Sequence, residues 1–206
     1  MALESLQDLY LEQLRDLHSA EEQIIEALPK MIKKTNHPEL RRAFETHLRQ
    51  TEEQLRRLEQ IGEQSGQDLG GHTCKGMKGL LEEGDELMKE RADSDVLDAA
   101  LISAAQRVEH YEMAGYGCAR TYARLLGLED DARVLQQTLD EEGETDHLLT
   151  ELAERVINIE ALTGDARMDR DVTPRTQRGA DVSSRGSKTS GRSRQQTTES
   201  DLDTTV

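Results

Sequence analysis

Two carboxylates, Glu21 and Glu142, occupy positions where the surrounding sequence is otherwise apolar. Around the first, the stripe reads Leu6, Leu9/Tyr10, Leu14, Leu17, Glu21, Ile24/Ile25, Leu28, Met31/Ile32. Around the second it reads Ala132, Leu135, Leu139, Glu142, Asp146, Leu149, Leu152/Ala153, Val156, Ile159. At the 100° per residue of an α-helix, these acids point into the seam between helices. A carboxylate there is costly unless it is protonated, paired or bound to a metal. Two such acids on different helices suggest a metal site made of oxygen ligands.

Two further segments add candidates. Glu109 and Glu112 stand three residues apart, Glu112 on its stripe and Glu109 at the edge. His47 lies on the stripe of another segment, followed by Gln50. The candidate metal ligands are therefore Glu21, His47, Glu109, Glu112, Glu142 and Asp146. Hard carboxylates with one imidazole suit iron or manganese. Each residue also has a plainer reading. Glu21 beside Glu22 fits a solvated face if the helix phase is off by one. Glu109 fits an ion pair with nearby Arg107, His47 a hydrogen-bonded core histidine, and Asp146 an acceptor behind the ligands. Glu144-x-x-His147 has the spacing of a carboxylate di-iron motif, but both residues fall off the apolar stripe. His72, Cys74 and Met77 form an isolated group of soft ligands in a Gly-rich loop, and Cys118, among Ala114, Gly115, Gly117 and Ala119, reads as core packing. No Gly-rich phosphate loop, nucleophile elbow or Cys-x-x-Cys pair occurs.

The elements that must position these residues are helices. One spans roughly 3–34 and stops at Thr35-Asn36-His37-Pro38, whose proline suits the first position of the next helix. The second spans roughly 38–64, with stripe Leu40, Phe44, His47/Leu48, Thr51, Leu55, Leu58, Ile61. A turn this short makes the pair an antiparallel hairpin. Glycines 66, 70, 71, 76, 79 and 84 then mark a long crossover around a short helix near 77–90. The third long helix spans roughly 94–126, capped by Ser94 and ended by Gly127. The fourth spans roughly 129–162 and is ended by Gly164. The fold class expected is all-α: an antiparallel four-helix bundle with one long crossover, the ferritin-like arrangement. It occupies residues 1–164. Residues 165–206 are rich in Ser, Thr, Arg, Gly and Asp, lack aromatics and read as a disordered polar tail.

The chain has 206 residues, a net charge of −16 and no Trp. Residues 165–206 carry eight Lys/Arg against seven Asp/Glu, so the acidic excess belongs to the helical part. That charge repels nucleic acid and anionic membrane surfaces and attracts cations. No apolar run approaches the length of a membrane span. The N-terminus lacks a basic region followed by a continuous apolar stretch. Two cysteines do not make a disulfide framework. These points favour the cytoplasm, without nucleic-acid or membrane partners.

At several stretches the chain resembles the YciE/YciF family of ferritin-like proteins. These are residues 16–23 (DLHSAEEQ), 44–51 with Phe44, His47 and Thr51, 74–83 (CKGMKGLLEE), 98–112 ending Val-Glu-His-Tyr-Glu, and 139–150 with Glu142, Asp146 and Leu149. The likeness covers about residues 5–158. Gln50 stands where that family often has an acid. The resemblance implies a ferritin-like fold, a di-metal site and an association with stress responses. The function expected is a di-metal protein that oxidises Fe(II) with oxygen or peroxide, holding two iron (or manganese) ions, with a homodimer as one option. The alternatives are a non-enzymatic helical stress protein and a manganese catalase-like disproportionation of peroxide.

Overall fold

The computed structural model describes residues 3–168, with side chains through residue 163, and every regular element among them is helical. Helix α1 (Leu6–Lys34) opens at Ser5, whose hydroxyl accepts the Asp8 N–H at 3.1 Å. Helix α2 (Pro38–Ser65) begins on its proline and ends at Gly66, whose φ of 67° lets the chain turn left-handed. Helix α3 (Lys75–Leu87) interrupts the crossover, and α4 (Ser94–Leu125) follows. The cap of α4 is Asp93 rather than Ser94; its carboxylate accepts the Asp95 N–H at 3.0 Å. Helix α5 (Glu129–Leu152) runs into a π-helical turn (Ala153–Ile157) and on into α6 (Asn158–Met168). Gly164 therefore does not stop the last helix, since an interior glycine costs only about 1 kcal/mol. The tail expected to be disordered lies, from residue 169 on, outside the described residues. No described helix is long and apolar enough to cross a membrane.

Helix α1 packs against α2 and α4, and α5 packs against α4 and α2. Helix α3 lies over α1 and α4, and α6 rests on α4. Two devices fix the connections. Asp98 of α4, buried, accepts the N–H groups of Asn36 (2.9 Å) and His37 (2.7 Å) and so pins the α1–α2 turn. The crossover is tied down at Cys74, whose N–H donates to the Ser19 hydroxyl at 3.0 Å and whose carbonyl accepts from Gln23 at 3.1 Å. The Cys74 thiol caps α3 by accepting the Met77 N–H and lies 3.0 Å from the Tyr111 hydroxyl, which donates to Asp16 at 2.6 Å. His72 meets the same Asp16 at 3.4 Å. The His72, Cys74 and Met77 group thus anchors the crossover. Gly76 is required there, because a β-carbon would sit 2.7 Å from the Tyr111 ring.

The apolar interior is split into two clusters. One gathers Ile24, Leu28, Leu40, Phe44, Leu101, Val108, Leu149 and their neighbours. The other gathers Leu14, Leu17, Leu58, Ile61, Tyr116, Ala132, Leu135 and theirs. On each long helix the switch from one cluster to the other falls at a polar stretch. Glu21 separates Leu17 from Ile24. His47, Thr51 and Gln54 separate Phe44 from Leu58. Glu109 and Glu112 separate Val108 from Tyr116, and Thr138, Glu142 and Thr145 separate Leu135 from Leu149. All of these polar residues are buried.

Candidate metal centre

Helical periodicity delivers the polar side chains to one level. Glu21 and Glu142 are fully buried, Glu109 and Glu112 are 1% exposed and His47 is 3% exposed. Glu22 faces solvent and pairs with His18 at 3.5 Å, so the phase read from the α1 stripe is correct. One ligand atom from each of His47, Glu109, Glu112 and Glu142 lies within 4.8 Å of the others. The His47 Nε2 is 3.3 Å from Glu109 Oε1. Glu21 completes the layer from α1; its charge acts on both Glu112 and Glu109.

The hydrogen bonding of the layer is incomplete. Both oxygens of Glu112, one oxygen each of Glu21, Glu109 and Glu142, and both ring nitrogens of His47 are buried without a hydrogen-bond partner. Buried polar atoms are satisfied in the great majority of cases, so this concentration of unpartnered atoms could hold a metal ion. The bonds that do exist hold the carboxylates in place. The Tyr116 hydroxyl donates to Glu21 Oε1, and the Gln54 amide donates to Glu142 Oε1 and, at 3.2 Å, to Glu141. Arg57 is the nearby cation, but its guanidinium is taken by Glu141 in a two-pronged pair at 2.7 and 2.9 Å and by Thr138 at 3.2 Å. Among the described residues, no Lys or Arg forms a salt bridge with Glu21, Glu109, Glu112 or Glu142.

Charge crowding shows in the protonation of the layer. Burial, then the charge of Glu142, pushes Glu21 well above the usual carboxylate range, against the lowering effect of the Tyr116 bond. Burial, then the charges of Glu142, Asp146 and Glu21, raises Glu109. Burial, then Glu21, Glu142 and Glu109, raises Glu112. Burial lifts Glu142 to about 7, restrained by its hydrogen bonds. Burial lowers His47 to about 4, so its imidazole is neutral at pH 7 and its nitrogen lone pair is free. An acid-rich layer with a neutral imidazole offers the kind of donors that hard and borderline metal ions take.

Asp146 stands apart from the group of four. It is 21% exposed, and its Oδ1 accepts the Gln106 amide at 3.0 Å and lies 3.3 Å from His110 Nε2. The 3.6-residue turn explains this: four residues beyond Glu142, Asp146 drifts toward α4, whereas Thr145 takes the buried place. Glu144 and His147 are exposed, and His147 pairs with Glu151. Cys118 is exposed as well; Gly115 and Ala119 are the small residues facing inward, with a β-carbon on Gly115 falling 2.8 Å from Leu17. The two side chains that donate to Glu142 and Glu21 escaped the sequence reading. Gln54 is buried where Leu55 was expected, and Tyr116 is buried between Glu112 and Ala119. The spacing 40, 44, 47, 51, 54, 58, 61 alternates steps of four and three and already points to Gln54. Gln50, where the resemblance raised a question, is half-buried and outside the layer.

Comparison with known proteins agrees with this architecture. The family described as "Domain of unknown function (DUF892)" matches residues 5–162. Protein YciF of Escherichia coli (strain K12) is 40% identical over 162 residues, which is 78% of this chain and 98% of YciF. The crystal structure of the E. coli stress protein YciF superposes with a TM-score of 0.73 over 76% of this chain and 99% of that one. YcfI of Rhodopseudomonas palustris, 41% identical, gives a TM-score of 0.69 over 71% of this chain and 94% of its own. A protein of Xanthomonas campestris, only 20% identical, shares the fold with a TM-score of 0.60 over 80% of this chain and 99% of its own. The chain belongs to the DUF892 family and is a relative of the stress protein YciF.

Proposed function

We propose that the protein is a ferritin-like four-helix bundle that holds two iron (or manganese) ions between its helices and oxidises Fe(II) with oxygen or peroxide in a stress-protective role. The observation that carries this reading is the set of His47, Glu109, Glu112 and Glu142 ligand atoms within 4.8 Å of one another, buried and short of partners. Glu21 and the four would hold the ions; Asp146 stands behind them. Bound Fe(II) would supply the electrons that reduce oxygen or peroxide. The chain's own part is to position and to shield. Tyr116 orients Glu21, Gln54 orients Glu142, and His47 offers a neutral nitrogen. Protons held by the crowded carboxyls would leave as cations bind, since the ligand form is the carboxylate. The two apolar clusters keep bulk water from either end of the layer.

The kinship with a stress protein supports the protective role. The test is metal content of protein purified without chelator, followed by Fe(II) oxidation under oxygen and under peroxide. Protein free of metal that also fails to bind added Fe(II) or Mn(II) would leave the non-enzymatic reading, in which the carboxyls stay protonated. Peroxide disproportionation with manganese and none with iron would favour the catalase-like alternative.

A further inference from the structure

The proposed ligands are buried, so a cation must reach them between helices. The seams differ in what closes them. Between α2 and α5 stands the Arg57 guanidinium, clamped on Glu141, and its positive charge opposes a passing cation. Between α1 and α4 a groove of 360 Å³ carries Glu12 and Asp16, but Gly115 lies against Leu17 and the buried Tyr116 bonds Glu21, which close the seam toward the layer. The α1–α2 side has an acidic groove of 460 Å³ with Glu59, Glu63 and Asp68, but Leu17 and Leu58 of the second apolar cluster lie on the helices inside it.

The α4–α5 seam is different. At its rim the Gln106 amide, a neutral group, donates to Asp146 Oδ1 (3.0 Å) and to the Thr150 hydroxyl (2.8 Å). Asp146 is 21% exposed, and outside it stands His110, 68% exposed. A surface groove of 640 Å³ runs along α4 beside Leu80 of α3, and Gln106 and His110, the two residues that hold Asp146, line it. Arg107 also lines this groove but is turned back onto Ser103, its Nη1 2.8 Å from the carbonyl and 3.0 Å from the hydroxyl. On the inner side, Asp146 stands about one helical turn beyond the buried Glu142 of the layer on α5. A carboxylate thus stands between solvent and the buried acids, held by an amide from Gln106 and by the exposed His110.

We propose that Asp146, strapped by Gln106 at the α4–α5 seam, is the way in for divalent cations to the buried carboxylate layer. This rests on the metal-centre reading above and adds to it a positioning residue that passes cations without keeping them. A negative group at the mouth raises local cation concentration and association rate. The amide must swing aside for a cation to pass, which breaks its bonds to Asp146 and Thr150; being neutral, it forms no salt bridge.

The test is stopped-flow loading of chelator-treated full-length protein with Co(II), followed by the visible absorbance of the bound ion and by final stoichiometry. Asp146→Asn should load about tenfold more slowly and reach the same stoichiometry as the unaltered protein. Gln106→Ala, which removes the strap, should load faster. Glu63→Gln, in the α1–α2 groove, should change nothing. An unchanged rate in Asp146→Asn, or slowing in Gln106→Ala, overturns the route while leaving the metal centre standing. A lower final stoichiometry in Asp146→Asn makes Asp146 a ligand and also overturns it. No Co(II) uptake by the unaltered protein removes the metal centre and the route together.

Discussion

The hydroxyl of Tyr116 donates to Oε1 of Glu21, while Oε2 of the same carboxyl has no partner. One oxygen is fixed and the other is left free, inside a layer where neither can reach water. Tyr116→Phe keeps the ring and removes the hydrogen bond that the hydroxyl donates to Glu21. Loss of a bond to a buried group costs about 1–3 kcal/mol. The expected outcome is a lower urea midpoint for metal-free protein, with weaker metal binding and unchanged helical circular dichroism. An unaltered midpoint would mean that Glu21 does not need the bond.

Glu142→Gln should remove most bound metal and all Fe(II) oxidation while leaving helicity intact. The amide keeps the shape of the side chain but not the charge that a hard cation requires. It also removes one buried acid from a crowd of four, so the metal-free variant should be at least as resistant to urea as the parent. Elemental analysis and a denaturation curve check the two halves separately.

Metal-free protein should lose stability as pH rises from 6.5 to 8. The folded state raises Glu142 to about 7 and raises Glu21, Glu109 and Glu112 as well. Folded protein therefore binds more protons than unfolded protein, and stability falls as pH climbs through the folded values. His47 acts oppositely, because its folded value near 4 lies below the unfolded one; its contribution is lost as pH falls from 6.5 toward 4. Above 6.5 it is neutral in both states and drops out. Melting curves at pH 6.5, 7.25 and 8 in chelator should show the decline, and saturating metal should abolish it. A flat profile in chelator contradicts the crowding.

Asp98→Ala strips two acceptor contacts from the N–H groups of Asn36 and His37. The turn would then expose or orphan both donors, at about 1–3 kcal/mol. The urea midpoint should fall without a change in the slope of the transition. Metal binding should survive, because Asp98 touches none of the candidate ligands.

Truncation after Met168 should leave melting temperature and metal binding nearly unchanged. Residues 169–206 have few apolar side chains and almost balanced charge, so they offer the core little to bury. A truncation that also removes α6, which rests on α4, should lower the melting temperature. A large drop from the shorter deletion would give the tail a structural role.

The helices and most of the layer are legible in the sequence because burial imposes a period. Glu21, His47, Glu112 and Glu142 interrupt apolar stripes, and all four are buried. What was not legible depends on choices between adjacent residues. Gln54 and Thr138 are buried while Leu55 and Leu139 are half-buried, although hydropathy alone ranks them the other way. Gln54 takes the inner position because Glu142 there accepts its amide, and Thr138 because its hydroxyl accepts from Arg57. Asp146 lies at the partly exposed rim of the seam and Cys118 faces solvent for a geometric reason. Four residues along a helix advance 40° beyond a full turn, enough to move a side chain from the seam to its rim. The cap of α4 shifted from Ser94 to Asp93, since both residues can cap and only the backbone decides.

The polar layer between the two apolar clusters also acts as an alignment mark. Leucine against leucine tolerates a helix sliding by one turn, about 5.4 Å, with little loss of buried area. Here such a slide on any of the four long helices would drive a carboxylate or His47 into Leu17, Phe44, Val108 or Leu135 and strand its partners on the other side. Because every long helix carries its own polar stretch, none can shift alone, and the stagger of all four is set at one height. The same acids that make the interior expensive to build therefore leave it a single way to be assembled.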